Sequence, residues 1–168
     1  MARQGARDPA HGVLRDPREG GAGACVFCAA LGREDGPENW IVRREPHAFV
    51  ILNIYPYNAG HVMVVPVRHV QALSDLTEEE GAACFSLVAR TVDLLRTALG
   101  ADAVNVGANI GRSAGGSIEH LHLHAVPRWP GDTNFMPVVA DTKVLVATLL
   151  DTWTRLRDAS AGWAGPPR

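Results

Sequence analysis

The stretch "LTEEEGAACFSLVARTVDLLRTALG", Leu76 to Gly100, does most to restrict the fold, because it is a helix with both ends marked. Thr77 and Glu80 have the T-x-x-E spacing of a capping box, in which hydroxyl and carboxylate satisfy each other's main-chain N–H. Gly100 stands where a helix ends in a left-handed residue, a conformation glycine takes without a Cβ penalty. Between them Cys84, Val88, Val92, Leu95 and Leu99 recur at three- and four-residue intervals, giving one apolar stripe. Such a stripe has to be buried, and the flanking sequence supplies strands to bury it. "HAFVILNIYP" and "GHVMVVPVRH", linked through "YPYNAG", are β-prone and read as an antiparallel hairpin. Beyond the helix, "ADAVNVGANIG" and "HLHLHAVP" read as two more strands around the loop "GRSAGGSIE". A final helix is expected from about Thr142 to Asp158, capped by Asp141 or Thr142. Hairpin-paired strands around a long helix mean an α+β fold with an antiparallel sheet.

The 168 residues suffice for one domain with a real core. Residues 1–22 mix charge with Gly and Pro and read as a flexible arm. Residues 160–168, "SAGWAGPPR", read as a frayed tail, which leaves residues 23–159 for the domain. A net charge of −2 argues against a nucleic-acid polymer as partner, since its binders are normally basic. No apolar run approaches the roughly 20 residues that span a bilayer, and the N-terminus lacks the apolar core of a signal peptide. Three cysteines, two of them paired as C-x-x-C, suit a reducing cytosol better than a disulfide framework. A cytoplasmic protein with no membrane partner is the expectation.

Three of the seven histidines fall within five residues: His120, His122 and His124 in "EHLHLHAVPRW". On a strand alternate residues share a face, so the three form a row while Leu121, Leu123 and Val126 anchor the strand elsewhere. A solvated patch, a metal site and a catalytic set are the three readings. A neutral imidazole, with an unperturbed pKa of about 6.5, is a good nucleophile near neutrality. Its attack on phosphorus gives a phosphoramidate that water or another acceptor resolves, and a neighbouring imidazole can protonate the leaving oxygen. The preceding "SAGGS" offers N–H groups and a hydroxyl to anionic oxygens. "CVFC", Cys25 and Cys28, has the spacing of half a tetrahedral zinc site, with a redox pair or two buried thiols as the other readings. Cys84 lies on the helical stripe and is expected to be a small core residue.

"HLHLHAV" resembles the signature of the histidine triad superfamily of nucleotide hydrolases and transferases. "LNIYPYNAGHVMVVPVRHVQALSDLT" is similar to that family's ribose-binding strand and hairpin. "NIGRSAGGSIEHLHLH" is similar to its phosphate loop running into the triad. "PRWPGDTNFMPV" resembles a bacterial branch that includes diadenosine-tetraphosphate phosphorylases. The resemblance covers about Cys25 to Pro137 and implies an α+β homodimer joined across the sheet and the long helix. It further implies cleavage of an adenosine nucleotide at its α-phosphate through a nucleotidyl-histidine intermediate. The substrate would be a dinucleoside polyphosphate such as diadenosine tetraphosphate, or a phosphoramidate-type adenylate. Phosphorolysis is one alternative, and a non-catalytic, zinc-stapled nucleotide-binding protein is another.

Residue by residue, the resemblance implies that His122 is the nucleophile, that His124 assists the leaving group and that His61 supports the triad from the neighbouring strand. Gly116 and Ser117 match positions that hold the α-phosphate, Asn109 an amide on the phosphate side, and Asn53 the residue bonding the ribose hydroxyls. In zinc-bearing members two cysteines, a histidine at the position of His69 and the first triad histidine are the ligands. A structural zinc ion on Cys25, Cys28, His69 and His120 is therefore expected, and Mg2+ is expected to accompany a polyphosphate substrate. Arg112 and Arg128 are candidates for neutralising phosphate oxygens. Phe27 is a candidate for the base pocket, and Tyr55 and Trp129 for base stacking or dimer packing.

Overall fold

The structure, a computed structural model, describes residues 25–132 and 147–163. The expectations for residues 1–22, for Asp141 and Thr142 as a cap, and for residues 164–168 lie outside the described residues. No helix among those described is long and apolar enough to cross a membrane.

Helix α2 spans Glu78–Leu99, about 33 Å at 1.5 Å per residue. Its capping box is formed: Glu80 N–H donates to Thr77 Oγ1 at 3.2 Å, and Thr77 N–H donates to the Glu80 carboxylate at 2.9 Å. Gly100 closes the helix at φ 69°. The Glu80 carboxylate also accepts two bonds from Arg68, at 2.8 and 2.6 Å. That guanidinium, helped by the Thr77 N–H, holds the Glu80 carboxyl down at about 2. The cap is thereby tied to the end of a strand. Cys84, Val88 and Leu95 of the expected stripe are buried, together with Leu87, Thr91 and Leu94. Burial pushes the Cys84 thiol up to about 11, so it stays protonated and serves as core.

The stripe packs on a five-stranded antiparallel sheet of order β1-β2-β3-β5-β4. The strands are β1 Ile41–Arg44, β2 Ala48–Leu52, β3 Val62–Pro66, β4 Ala103–Gly107 and β5 Leu123–Arg128. The expected hairpin is β2–β3, paired from Ala48↔Pro66 to Leu52↔Val62. Strand parity divides the core. Ala48, Val50, Leu52, Val62, Val64, Leu123 and Ala125 cluster with α2, while Phe49, Ile51, Met63 and Val65 cluster with Phe27 and Ala30 of a short helix, α1 (Val26–Leu31). Neither α1 nor β1 is visible as a period in the sequence, because each is too short to repeat one. Asn39 builds that corner: its Oδ1 accepts the Ile41 N–H and its Nδ2 donates to the Ala30 carbonyl.

Four expectations need correction. The last helix, α3, begins at Leu149 and ends at Ser160, where the sequence reading placed its start near Thr142. Thr148 is its cap, its Oγ1 accepting the Asp151 N–H at 3.1 Å. Ser160 and Trp163, read as frayed tail, are packed: Arg43 donates to both carbonyls and Arg90 lies 4.3 Å over the Trp163 ring. The histidine strand starts at Leu123, so His120 and His122 precede β5. Leu121 N–H bonds there to Val70 O at 2.7 Å, drawing the chain along the segment beyond β3. Val126 has the parity of His124, so it cannot anchor the same face as Leu123; Ala125 does.

Candidate active site and metal centre

The register Met63↔His124 places His124 on the sheet face opposite α2, and His61, two residues before Met63, shares that face. Gly60 makes the approach possible. Its φ is 82°, and a Cβ there would run into Leu99 and Pro127. His61 Nδ1 receives the Tyr57 N–H at 3.0 Å and lies 3.2 Å from Asn53 Nδ2. Donors on Nδ1 leave the proton of a neutral imidazole on Nε2, and that nitrogen lies 2.9 Å from His124 Nδ1. His61 therefore donates, His124 accepts through Nδ1, and His124 carries its own proton on Nε2. Among the described residues, His124 Nε2 is buried without a hydrogen-bond partner. Burial, followed by the neighbouring His122, pushes the His124 imidazole down to about 4, so the neutral form prevails near pH 7. An orphaned buried donor marks a place where a substrate acceptor belongs.

His122 has the complementary arrangement. Its Nδ1 lies 2.7 Å from the His120 carbonyl, which can only accept. Nδ1 thus carries the proton and Nε2 keeps a lone pair. Burial lowers the His122 pKa below the ordinary imidazole value, which preserves that lone pair. The His122 and His124 rings meet edge to face at 4.8 Å, presenting an acceptor and a donor side by side. Phe27, buried at the other side of His122, packs 5.3 Å from its ring and 5.6 Å from that of His120.

A cleft of about 270 Å³ reaches His122 and is lined by Asn109, Gly111, Gly116, Arg112 and Gln71 among others. Its loop closes through Gly116 N–H to Gly111 O at 3.1 Å. A Cβ on Gly116 would lie 2.8 Å from Asn109 O and 3.0 Å from Gly111 O, so the tight turn itself requires glycine. Asn109 Nδ2 donates to the Tyr57 hydroxyl at 3.2 Å, Ser117 is exposed on the loop, and Asn53 Oδ1 accepts the Tyr55 N–H. The structure thus gathers His61, His122, His124, Asn53, Asn109 and Gly116 in one connected region. Arg112 lines the cleft, whereas Arg128 is bound to Asp132 at 2.8 and 2.7 Å. Trp129 Nε1 donates to Gly100 O, and Tyr55 is exposed. Tyr57, which the sequence reading passed over, touches His61, His124 and Asn109. Its place in "YPYNAGH", four residues before His61, was the available signal.

Cys25, Cys28, His69 and His120 place one ligand atom each within 4.8 Å of one another. Cys25 Sγ lies 3.3 Å from His120 Nδ1, and Cys28 Sγ lies 3.4 Å from His69 Nδ1 and 3.7 Å from His120 Nδ1. Zn–S and Zn–N bonds at a tetrahedral angle set an S···N edge of about 3.5 Å. His120 Nε2 donates to Pro66 O at 3.0 Å, leaving Nδ1 unprotonated towards the sulfurs. The set fits a zinc ion. No second metal-holding group occurs among the described residues, so the structure gives the expected Mg2+ no support.

Comparison with known proteins identifies the family. The HIT domain model matches residues 36–131. Over 156 residues the chain is 40% identical to the AP-4-A phosphorylase of Mycobacterium tuberculosis (strain H37Rv), spanning 92% of this chain and 78% of that protein. A zinc-bound histidine triad family protein from Mycobacterium smegmatis aligns with a TM-score of 0.66 at 28% identity, covering 82% of this chain and 94% of that one. A hypothetical histidine triad nucleotide-binding protein from Sulfolobus tokodaii aligns equally well, with a TM-score of 0.66 at 28% identity and coverage of 80% and 91%. With its α+β fold and its histidine row in the matched region, this chain belongs to the histidine triad (HIT) family.

Proposed function

We propose that this protein transfers the adenylyl group of a dinucleoside polyphosphate, such as diadenosine tetraphosphate, through a nucleotidyl-histidine intermediate on His122. The observation that carries the reading is the pair of ring contacts, His122 Nδ1 at 2.7 Å from the His120 carbonyl and His124 Nε2 buried with no partner among the described residues, which assign a lone pair to one imidazole and an open N–H to the other. His122 Nε2 forms a bond to the α-phosphorus as the bond to the bridging oxygen breaks. His124 Nε2–H meets the departing oxygen, and the leaving nucleotide takes away the bonding pair. Asn109 and Ser117 face the α-phosphate oxygens, and Asn53 the ribose. The likeness to an AP-4-A phosphorylase favours phosphate as the acceptor that then attacks phosphorus and restores His122. A zinc ion on Cys25, Cys28, His69 and His120 supplies folding energy, not chemistry. Three free cysteines, two needed as metal-binding thiolates, suit a reducing cytosol.

Product analysis tests this directly. Incubated with diadenosine tetraphosphate, the protein is expected to yield ADP and ATP only when phosphate is present. AMP and ATP without phosphate would make water the acceptor and the protein a hydrolase. Absence of both outcomes would leave a nucleotide-binding protein.

We also propose that the working unit is a homodimer. Among the described residues β4 is an edge strand with its outer side exposed, Val106 is 47% exposed, and Phe85 on α2 is 65% exposed. An unpaired edge beside an apolar helix face is a ready interface. Light scattering is expected to give twice the chain mass for wild type and the single mass for Phe85→Glu. A monomeric wild type would refute the dimer.

A further inference from the structure

We propose that Tyr57 is the positioning residue of the leaving-group half of the site, tying the His61–His124 pair to Asn109 of the anion loop. The proposal rests on the reading of His124 given above. Tyr57 reaches all three residues with different parts of itself. Its main-chain N–H donates to His61 Nδ1 at 3.0 Å and so sets which nitrogen of His61 faces His124. Its ring lies over the pair, with centroids 4.7 Å from His61 and 5.5 Å from His124. Its hydroxyl accepts from Asn109 Nδ2 at 3.2 Å.

The ring is 53% exposed, so one face meets solvent while the other covers two imidazoles that are nearly inaccessible to it. That coverage keeps the His61 Nε2 to His124 Nδ1 bond of 2.9 Å away from competing water. Opened to water, His124 Nδ1 would gain alternative donors, and its Nε2–H would no longer be fixed towards the departing oxygen. The hydroxyl does a separate job. It holds the Asn109 amide, whose residue lines the cleft beside His122. One side chain therefore registers the donor on β5 against the loop that receives the phosphate.

Two variants separate these contacts, and two substrates separate positioning from general damage. The substrates are adenosine 5′-phosphate esters, one with an alkyl alcohol and one with nitrophenol as leaving group. An alkoxide needs the proton from His124, whereas nitrophenolate leaves without it. Tyr57→Ala is expected to lower kcat about 10- to 100-fold on the alkyl ester, within the range of lost acid catalysis, and less than about threefold on the nitrophenyl ester. Tyr57→Phe keeps the ring and is expected to hold kcat within about twofold while raising KM about two- to tenfold, the worth of one hydrogen bond. Equal losses on both esters in Tyr57→Ala, or an unchanged KM in Tyr57→Phe, would overturn the assignment. A second readout does not depend on turnover. The His61 Nε2–H proton should give a downfield NMR resonance that is slow to exchange in wild type and Tyr57→Phe and lost in Tyr57→Ala. If wild type cleaves neither ester, the adenylyl-transfer reading fails, and survival of that resonance in Tyr57→Ala refutes the role of Tyr57 by itself.

Discussion

His122→Asn is expected to reduce turnover of diadenosine tetraphosphate by at least about 10⁴-fold while leaving the melting temperature within a few degrees of wild type. Asparagine suits the test because its amide Nδ2 can keep donating to the His120 carbonyl, the bond that Nδ1 makes at 2.7 Å. The packing against Phe27 loses part of a ring, and no buried acceptor is stranded. What disappears is the Nε2 lone pair. His124→Asn retains the nucleophile and removes the donor, so its loss should be smaller, about 10²- to 10⁴-fold, and should shrink as the leaving group improves. The ranking matters more than either value. Quantifying product by chromatography with each variant at equal zinc content decides it. Substantial turnover by His122→Asn would assign the attack to another group. A loss equal to that of His124→Asn on every substrate would remove the division of labour that the two tautomers imply.

Long, regular features were legible in the sequence. The capping box of Thr77 and Glu80, the terminal Gly100 and the stripe between them gave α2, and the two β-prone runs gave the β2–β3 hairpin. These signals are local, and each repeats several times. Features resting on one residue or on distant partners were not legible. Helix α1 is a single turn and a half, and it is placed by Asn39 and by Arg44, which donates to the Leu31 carbonyl at 2.9 Å. The start of α3 depends on Thr148, one of several polar residues able to cap it. The histidine row was visible as a period, but its members do not lie on one strand. His120 turns towards the cysteines because Leu121 pairs with Val70, a contact that no spacing encodes. For Tyr57 only the local half was legible, its position four residues before His61, whereas its contact with Asn109 lies 52 positions away.

Cys25→Ser is expected to lower bound zinc well below one ion per chain and to reduce the melting temperature by roughly 10 °C. The size follows from two magnitudes. A structural zinc contributes about 10–16 kcal/mol to folding in small domains, and losing one thiolate forfeits a few kcal/mol of it. For a chain of this length each kcal/mol corresponds to about 2–4 °C. Cys84→Ser is the control, because it places a hydroxyl in the same core as α2 yet lies outside the ligand set. It should cost stability and leave zinc stoichiometry unchanged, as measured by elemental analysis. Unaltered zinc in Cys25→Ser would show the ligand set to be wrong. The more informative outcome is the activity of what remains folded. His120 faces the cysteines through Nδ1, while its carbonyl holds the proton of His122 Nδ1. Phe27, between the two cysteines in sequence, packs against both rings. Loosening the cysteine end should therefore free the His122 ring to rotate and lower kcat, although Cys25 is not itself among the residues that line the cleft. A Cys25→Ser protein that has lost its zinc but keeps wild-type kcat below its melting transition would separate the two sites. It would show that the His120 carbonyl is held in place without the metal, by the Leu121–Val70 and His120–Pro66 hydrogen bonds.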